Sequence, residues 1–187
     1  MPAPARASPG IGRIFAASEL GAAVDRLARR IAAEVPAPLA LLGIRRRGVP
    51  LALRVARQLE ERGRKDVALG ELDINLYRDD IHDRGIPRVG KTSIPFAMER
   101  RRILLVDDVL FTGRTVRAAL TALSHFGRPR AVRLAVLVDR GGRELPIAPD
   151  FVGLTVEARP GEFIRVRLEE EDGEDGVFRI DAGADGR

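Results

Sequence analysis

The sequence predicts an α/β protein in which a central, mostly parallel sheet is flanked by helices. Short aliphatic runs at residues 39–44, 103–106 and 133–139 have the length and density of strands buried on both faces. Segments of helical period separate them, and this βαβ alternation implies parallel strands with helices on both sides. The run at 103–106 ends in two adjacent carboxylates and a Thr/Gly-rich turn. Open α/β sheets gather ligands at the carboxyl ends of their strands, so this is where a site is expected.

In chain order, residues 1–14 read as a flexible tail and residues 15–180 as a single domain without repeats or linkers. Leu20, Val24, Leu27 and Ile31 recur at helical spacing, with Ser18 as N-cap. Strand 39–44 follows, and Pro50 suits the first turn of a helix over 49–61. Residues 67–76 alternate and predict a second strand. Residues 77–100 are polar, with Gly85, Pro87, Gly90 and Pro95, and read as a long loop. Strand 103–108 is followed by a helix over 114–126, built on Val116, Ala119, Leu120 and Leu123. A strand at 133–139 and shorter ones near 151–156, 163–168 and 177–180 complete the domain, leaving 181–187 as a tail.

Composition narrows the chemistry. The chain has no Cys, hence no disulfide framework or thiolate metal site, and its two His residues, His82 and His125, offer little to zinc. The Ala/Pro-rich start lacks an apolar run of signal-peptide length, and no segment reaches the ~18 apolar residues of a membrane span. These features predict a soluble, cytoplasmic protein. The net charge of +5 is unevenly spread: residues 169–187 hold eight acids against two Arg, while 30 of the 32 Lys and Arg precede them. A basic body favours phosphate-rich partners, RNA included. With only 4% aromatic residues, RNA affinity would rest on phosphate contacts and hydrogen bonds more than on base stacking.

The richest stretch is Ile103-Leu-Leu-Val-Asp-Asp-Val-Leu-Phe-Thr-Gly-Arg-Thr115. Asp107 and Asp108 sit at the strand's carboxyl end, where they can accept hydrogen bonds from two vicinal hydroxyls. Thr112, Gly113, Arg114 and Thr115 open the next helix, so their N–H groups form an anion cradle. A ribose 5-phosphate satisfies both halves. The bland alternative, that the Asp pair merely caps a turn, explains neither the cradle nor the register. A second pattern, Gly85-Ile-Pro-Arg-Val-Gly-Lys-Thr92, matches a P-loop letter for letter. Its flanks are polar on one side and broken by Pro95 on the other, so the match reads as accidental.

Residues 103–115 resemble the phosphoribosyl pyrophosphate signature of type I phosphoribosyltransferases. Gly70-Glu-Leu-Asp-Ile-Asn-Leu-Tyr-Arg-Asp-Asp80, Leu137-Val-Asp-Arg-Gly-Gly-Arg-Glu-Leu-Pro146, Gly43-Ile-Arg-Arg-Arg-Gly48 and Pro149-Asp-Phe-Val-Gly153 are similar to a narrower bacterial family. Its members regulate pyrimidine operons by attenuation and have uracil phosphoribosyltransferase activity. The resemblance runs from about residue 18 to about residue 168. It implies the type I phosphoribosyltransferase fold, with a small hood and a mobile active-site loop that it places at 77 to about 100. It further implies that uracil displaces pyrophosphate from phosphoribosyl pyrophosphate, giving UMP, with Mg²⁺ held by Asp107 and Asp108, directly or through water.

Site roles follow from the same resemblance. Arg45, Arg47 and Gly48, with Arg46 as a further candidate, form the pyrophosphate loop. Tyr77 and Arg78 reach the reaction centre. Arg140, Phe151, Val152 and backbone groups through Gly153 line the base pocket, although Phe151 also suits ordinary core packing. No general base stands out; Asp108 is one possibility. The implied partners are uracil, UMP, pyrimidine-operon mRNA and further copies of the chain in a homo-oligomer. Two departures stand out: Gly142 where the family commonly has His, and Glu157-Ala-Arg-Pro-Gly161 in place of a Thr/Ser/Lys-rich loop. A regulator with little turnover and a purine phosphoribosyltransferase of the same fold remain alternatives.

Overall fold

The computed structural model describes residues 10–78 and 90–182. Its elements run β1 (Ile11–Phe15), α1 (Ala17–Glu34), β2 (Leu39–Ile44), α2 (Gly48–Glu61), β3 (Val67–Leu72), β4 (Arg102–Leu110), α3 (Arg114–Leu123), β5 (Ala131–Asp139), β6 (Phe151–Thr155), β7 (Glu162–Arg167), α4 (Glu169–Asp172) and β8 (Gly176–Asp181). Five strands form a parallel sheet in the order β3-β2-β4-β5-β6. Every residue of β2 is buried, which is why that strand is aliphatic throughout. α1 and α2 cover one face, packing Leu27, Ile31, Leu51 and Val55 on Leu41, Leu104 and Leu137. α3 covers the other, setting Val116, Ala119 and Leu123 against Leu42, Leu105 and Val136.

The remaining strands form a small antiparallel sheet, β1-β8-β7, made from the two ends of the chain. Residues 11–15, expected mostly in a flexible tail, are therefore a strand, with Ile14 and Phe15 packed on the main core. Among the described residues this is the second sheet, and residues 90–100 do not join it. Ser93 instead pairs with Glu71 along the edge of β3, and Met98 is buried. Residues 79–89, which hold most of the P-loop-like match, lie outside the described residues.

Boundaries shift for local reasons. α1 starts from Ala16, not Ser18, because the Glu19 carboxylate accepts the Ala16 N–H at 2.9 Å. β3 stops at Leu72 because Asp73 Oδ1 accepts the Asn75 N–H at 2.8 Å, turning the chain into a single 3₁₀ turn at Asn75–Tyr77. α3 ends at Leu123, where His125 and Phe126 donate to carbonyls three residues back and Gly127 takes φ +135°. β4 continues beyond the carboxylates, since Val109 and Leu110 still pair with Val138 and Asp139.

Candidate active site

The two carboxylates occupy an interruption in the pleat of β4. Val106 and Val109, three residues apart, both pack on the α1/α2 side, while Leu105 and Leu110, five apart, both pack with α3. Regular alternation would put the members of each pair on opposite faces, so the strand slips across Asp107–Asp108. Each side chain there secures the main chain: Asp107 Oδ1 accepts the Asp108 N–H at 3.0 Å, and Asp108 Oδ1 accepts the Val109 N–H at 2.9 Å. Asp107 is only 6% exposed. Burial, followed by the neighbouring Asp108 charge, raises its pKa well above the usual carboxylate range, against the pull of Arg78. Burial likewise raises Asp108, with Arg47 as the main opposing charge. Two adjacent carboxylates, one buried and one half-buried, both costly to ionise, form a site that favours an incoming cation or hydroxyl donors.

The cradle lies one loop away. Gly113, at φ +92°, precedes α3, and a Cβ there would crowd Leu145 and Ile147 at 3.3–3.4 Å. Thr112 Oγ1 accepts the Arg114 N–H at 3.3 Å, and the Thr112 carbonyl accepts the N–H groups of Glu144 and Leu145 at 3.0 and 3.1 Å. The loop is thus braced from behind while the first turn of α3 opens forward without a side-chain cap. Thr115 sits in that turn, half-buried. The Arg114 side chain extends to Glu144 at 2.7 Å, so its charge is engaged at the surface, and its N–H turns to the Thr112 hydroxyl.

The β2–α2 loop passes directly over β4. A Cβ on Gly48 would lie 2.3 Å from the Val106 carbonyl oxygen, and one on Gly43 2.5 Å from Val49 Cα. Only glycine allows this approach, which brings Arg47 beside Asp108; the Arg45–Arg46 peptide is cis. Arg45 pairs with Glu71, its Nε donating at 3.1 Å, and Arg46 is exposed. Arg47 makes a bidentate pair with Asp172 of α4, at 2.7 and 2.9 Å. Residue patterns did not point to Glu71 or Asp172 as partners of this loop; the acid excess after residue 168 was the available signal.

At the carboxyl end of β5, the guanidinium carbon of Arg140 stands 3.8 Å from the centre of the Phe111 ring. Arg140 Nε is buried without an acceptor, and burial lowers the pKa of the group while Glu162 opposes that shift. Nearby, a cavity of about 520 Å³ opens between the small sheet and the end of β6, lined by Phe15, Thr155, Glu157, Arg159 and Arg179 among others. Tyr77 rests on His125 with ring centres 5.5 Å apart, and Arg78 directs its charge at Asp107.

Phe151 is different. It is wholly buried in the core beneath α1, with the Arg30 guanidinium over its ring at 5.3 Å. Its register partner is Ala135, well before the carboxyl end of β5, so the Phe151 side chain is core and does not face a base. Val152 is half-buried against the α3-side core, level with Val136.

Asp107 and Asp108 each commit one oxygen to a main-chain N–H, and the described residues contain no cluster of three or more acidic, His or Cys side chains that could hold a metal. That donor set fits an oxygen-seeking ion such as Mg²⁺ that keeps most of its waters and takes further ligands from a bound phosphate.

The phosphoribosyl transferase domain family matches residues 10–171. The chain is 53% identical to the bifunctional protein PyrR of Roseiflexus sp. (strain RS-1) over 175 residues, 91% of this chain and 96% of that one. It is equally similar to the bifunctional protein PyrR of Thermus aquaticus, at 53% over 164 residues, covering 86% and 91%. Among solved structures, a point-mutant hypoxanthine phosphoribosyltransferase of Trypanosoma cruzi in a ternary substrates complex superposes with a TM-score of 0.69 at 20% identity, over 90% of this chain and 94% of that one. The Leishmania tarentolae HGPRT-ase in complex with GMP gives 0.68 at 18%, over 92% and 96%. At those identities the structural likeness shows the fold alone. Among the described residues, no helix is long and apolar enough to cross a membrane.

Proposed function

Because the chain belongs to the phosphoribosyltransferase family, and within it to the bifunctional PyrR proteins, we propose that it transfers the phosphoribosyl group of phosphoribosyl pyrophosphate to uracil, forming UMP and pyrophosphate. The observation that carries this reading is the pairing of a buried carboxylate, Asp107, and its half-buried neighbour Asp108 with a helix N-terminus one loop away, at the carboxyl end of the central strand. Asp107 and Asp108 hold the two ribose hydroxyls. The N–H groups from Thr112 to Thr115 hold the 5-phosphate.

The Arg45–Gly48 loop supplies main-chain donors and positive charge to the departing pyrophosphate, with Arg47 kept beside Asp108 by Asp172. Arg140 donates to a carbonyl of the base. Arg78 balances the charge of Asp107. Mg²⁺, held by Asp107 and Asp108 largely through water, would neutralise the phosphates of the substrate. Rigid placement of these groups suits a transition state with oxocarbenium character, whose barrier falls with positioning and charge matching.

A second activity, RNA binding controlled by UMP, draws support from the charge distribution, since the chain before residue 169 holds 30 of the 32 basic residues. The partners on this reading are pyrimidine-operon mRNA and further copies of the chain.

The test is Mg²⁺-dependent pyrophosphate release from phosphoribosyl pyrophosphate with uracil, hypoxanthine, guanine or no base. Release with uracil alone is expected. Release with a purine instead would replace uracil as the acceptor, and no release with any base would leave only the regulatory reading.

A further inference from the structure

Phe111 is a large apolar side chain left 40% exposed at the mouth of the site, between the end of β4 and the phosphate cradle. Its ring is nonetheless clasped on two sides. Arg140 lies over it, 3.8 Å from the ring centre, and Gly142 abuts its edge. A Cβ on residue 142 would fall 2.5 Å from Cε2 and 3.0 Å from Cδ2 of the ring, and Gly142 takes φ +71°. With the Phe111 ring in this place, a side chain at 142 would have to push it aside, and the positive φ also favours glycine.

The main chain locks the same group together. The Arg140 N–H donates to the Leu110 carbonyl at 3.1 Å. Arg143 donates to the Phe111 carbonyl at 2.9 Å and to Asp139 at 2.7 Å. A surface arginine ordinarily samples many rotamers, and ordering it costs free energy. Here the ring fixes the guanidinium, yet Nε remains buried without an acceptor. Glu162 is the charge that acts on Arg140, and it pairs with Arg179 at 3.5 Å.

We propose that Phe111 is a positioning residue for the acceptor base: it holds Arg140 with its donors aimed at a base carbonyl, and Gly142 makes room for it. The inference rests on the assignment of Arg140 to the base under the proposed function. A planar guanidinium held over a ring, 3.8 Å from its centre, offers in-plane donors, which suit a carbonyl of a planar heterocycle.

The experiment compares Phe111→Leu, Arg140→Gln, the double variant, Phe111→Tyr and Gly142→Ala. Loss of this partly exposed cation–π contact is expected to raise KM for uracil roughly threefold to fivefold in Phe111→Leu, with kcat and KM for phosphoribosyl pyrophosphate within about twofold of wild type. Gly142→Ala should reproduce this pattern, and Phe111→Tyr should restore wild-type values. Because Phe111 acts through Arg140, the double variant should be no worse than Arg140→Gln alone.

Additive losses, an equal rise in KM for phosphoribosyl pyrophosphate, or no change in Phe111→Leu would overturn the proposal. An unchanged uracil KM in Arg140→Gln would overturn it together with the assignment of Arg140. Calorimetric titration with UMP reads the same ladder of variants without turnover. Wild-type UMP binding that is weakened by Phe111→Leu, in a protein with no activity, would therefore remove the enzymatic reading and keep this one.

Discussion

Asp172, in a single helical turn near the C-terminus, grips Arg47 at the start of α2 through two parallel hydrogen bonds of 2.7 and 2.9 Å, across 125 residues of sequence. Both side chains are largely shielded, at 17% and 24% exposure. Asp172 Oδ2 also accepts the Leu168 N–H at 3.0 Å, so the acid is itself fixed. The small sheet thereby sets the position of a basic group beside Asp108, and the two ends of the chain bear on the site.

Asp172→Asn should release that guanidinium. Losing a bidentate, charge-assisted pair costs about 1–3 kcal/mol, read by urea denaturation. Kinetically, KM for phosphoribosyl pyrophosphate should rise by roughly fivefold to tenfold, since about 1.4 kcal/mol corresponds to tenfold, while KM for uracil stays near wild type.

The acids of this segment also set a pH dependence. Glu170, Asp172 and Asp175 all ionise below their usual range because Arg54 and Arg47 hydrogen-bond their charged forms. A depressed folded pKa contributes stability that is complete above the unfolded value of about 4 and is lost as pH falls through the folded value. Arg54→Leu removes partners of Glu170 and Asp175. Its melting temperature should lie below wild type at pH 7, and the gap should close as pH drops below about 4.

Asp107→Asn combined with Asp108→Asn should separate stability from activity. Burial disfavours both charges, so near-isosteric amides are expected to leave the melting temperature unchanged or raise it. Turnover should fall to background. Wild-type turnover in the double variant would remove these residues from the site.

Gly48→Ala tests the close approach of the pyrophosphate loop. A methyl group 2.3 Å from the Val106 carbonyl oxygen has no space and must displace the loop. The expected cost is roughly 1–3 kcal/mol, with a rise in KM for phosphoribosyl pyrophosphate larger than in Asp172→Asn.

Much of this was legible from local pattern. β2, buried on both faces, reads directly as an aliphatic run, and its bounds, Leu39–Ile44, are those expected. Asp107, Asp108 and Thr112–Thr115 fall within nine residues of sequence, so one register carries the strand end and the cradle. What was illegible is non-local. Ile11–Phe15 forms a strand only because β8, some 165 residues later, pairs with it, and no periodicity in five residues announces that. The Arg47–Asp172 pair is hidden for the same reason. For Phe151 the sequence left base pocket and core packing both open, because its burial depends on α1 crossing above it. The pleat slip at Asp107–Asp108 leaves no compositional trace at all.

The central claim is that these carboxylates and this cradle form a uracil phosphoribosyl-transfer site. The most direct measurement is the conversion of labelled uracil to UMP in the presence of phosphoribosyl pyrophosphate and Mg²⁺, with wild-type protein beside Asp107→Asn/Asp108→Asn. Labelled UMP from the wild type and only background from the double variant is the expected result. No labelled UMP from the wild type, or equal yields from both proteins, would contradict it.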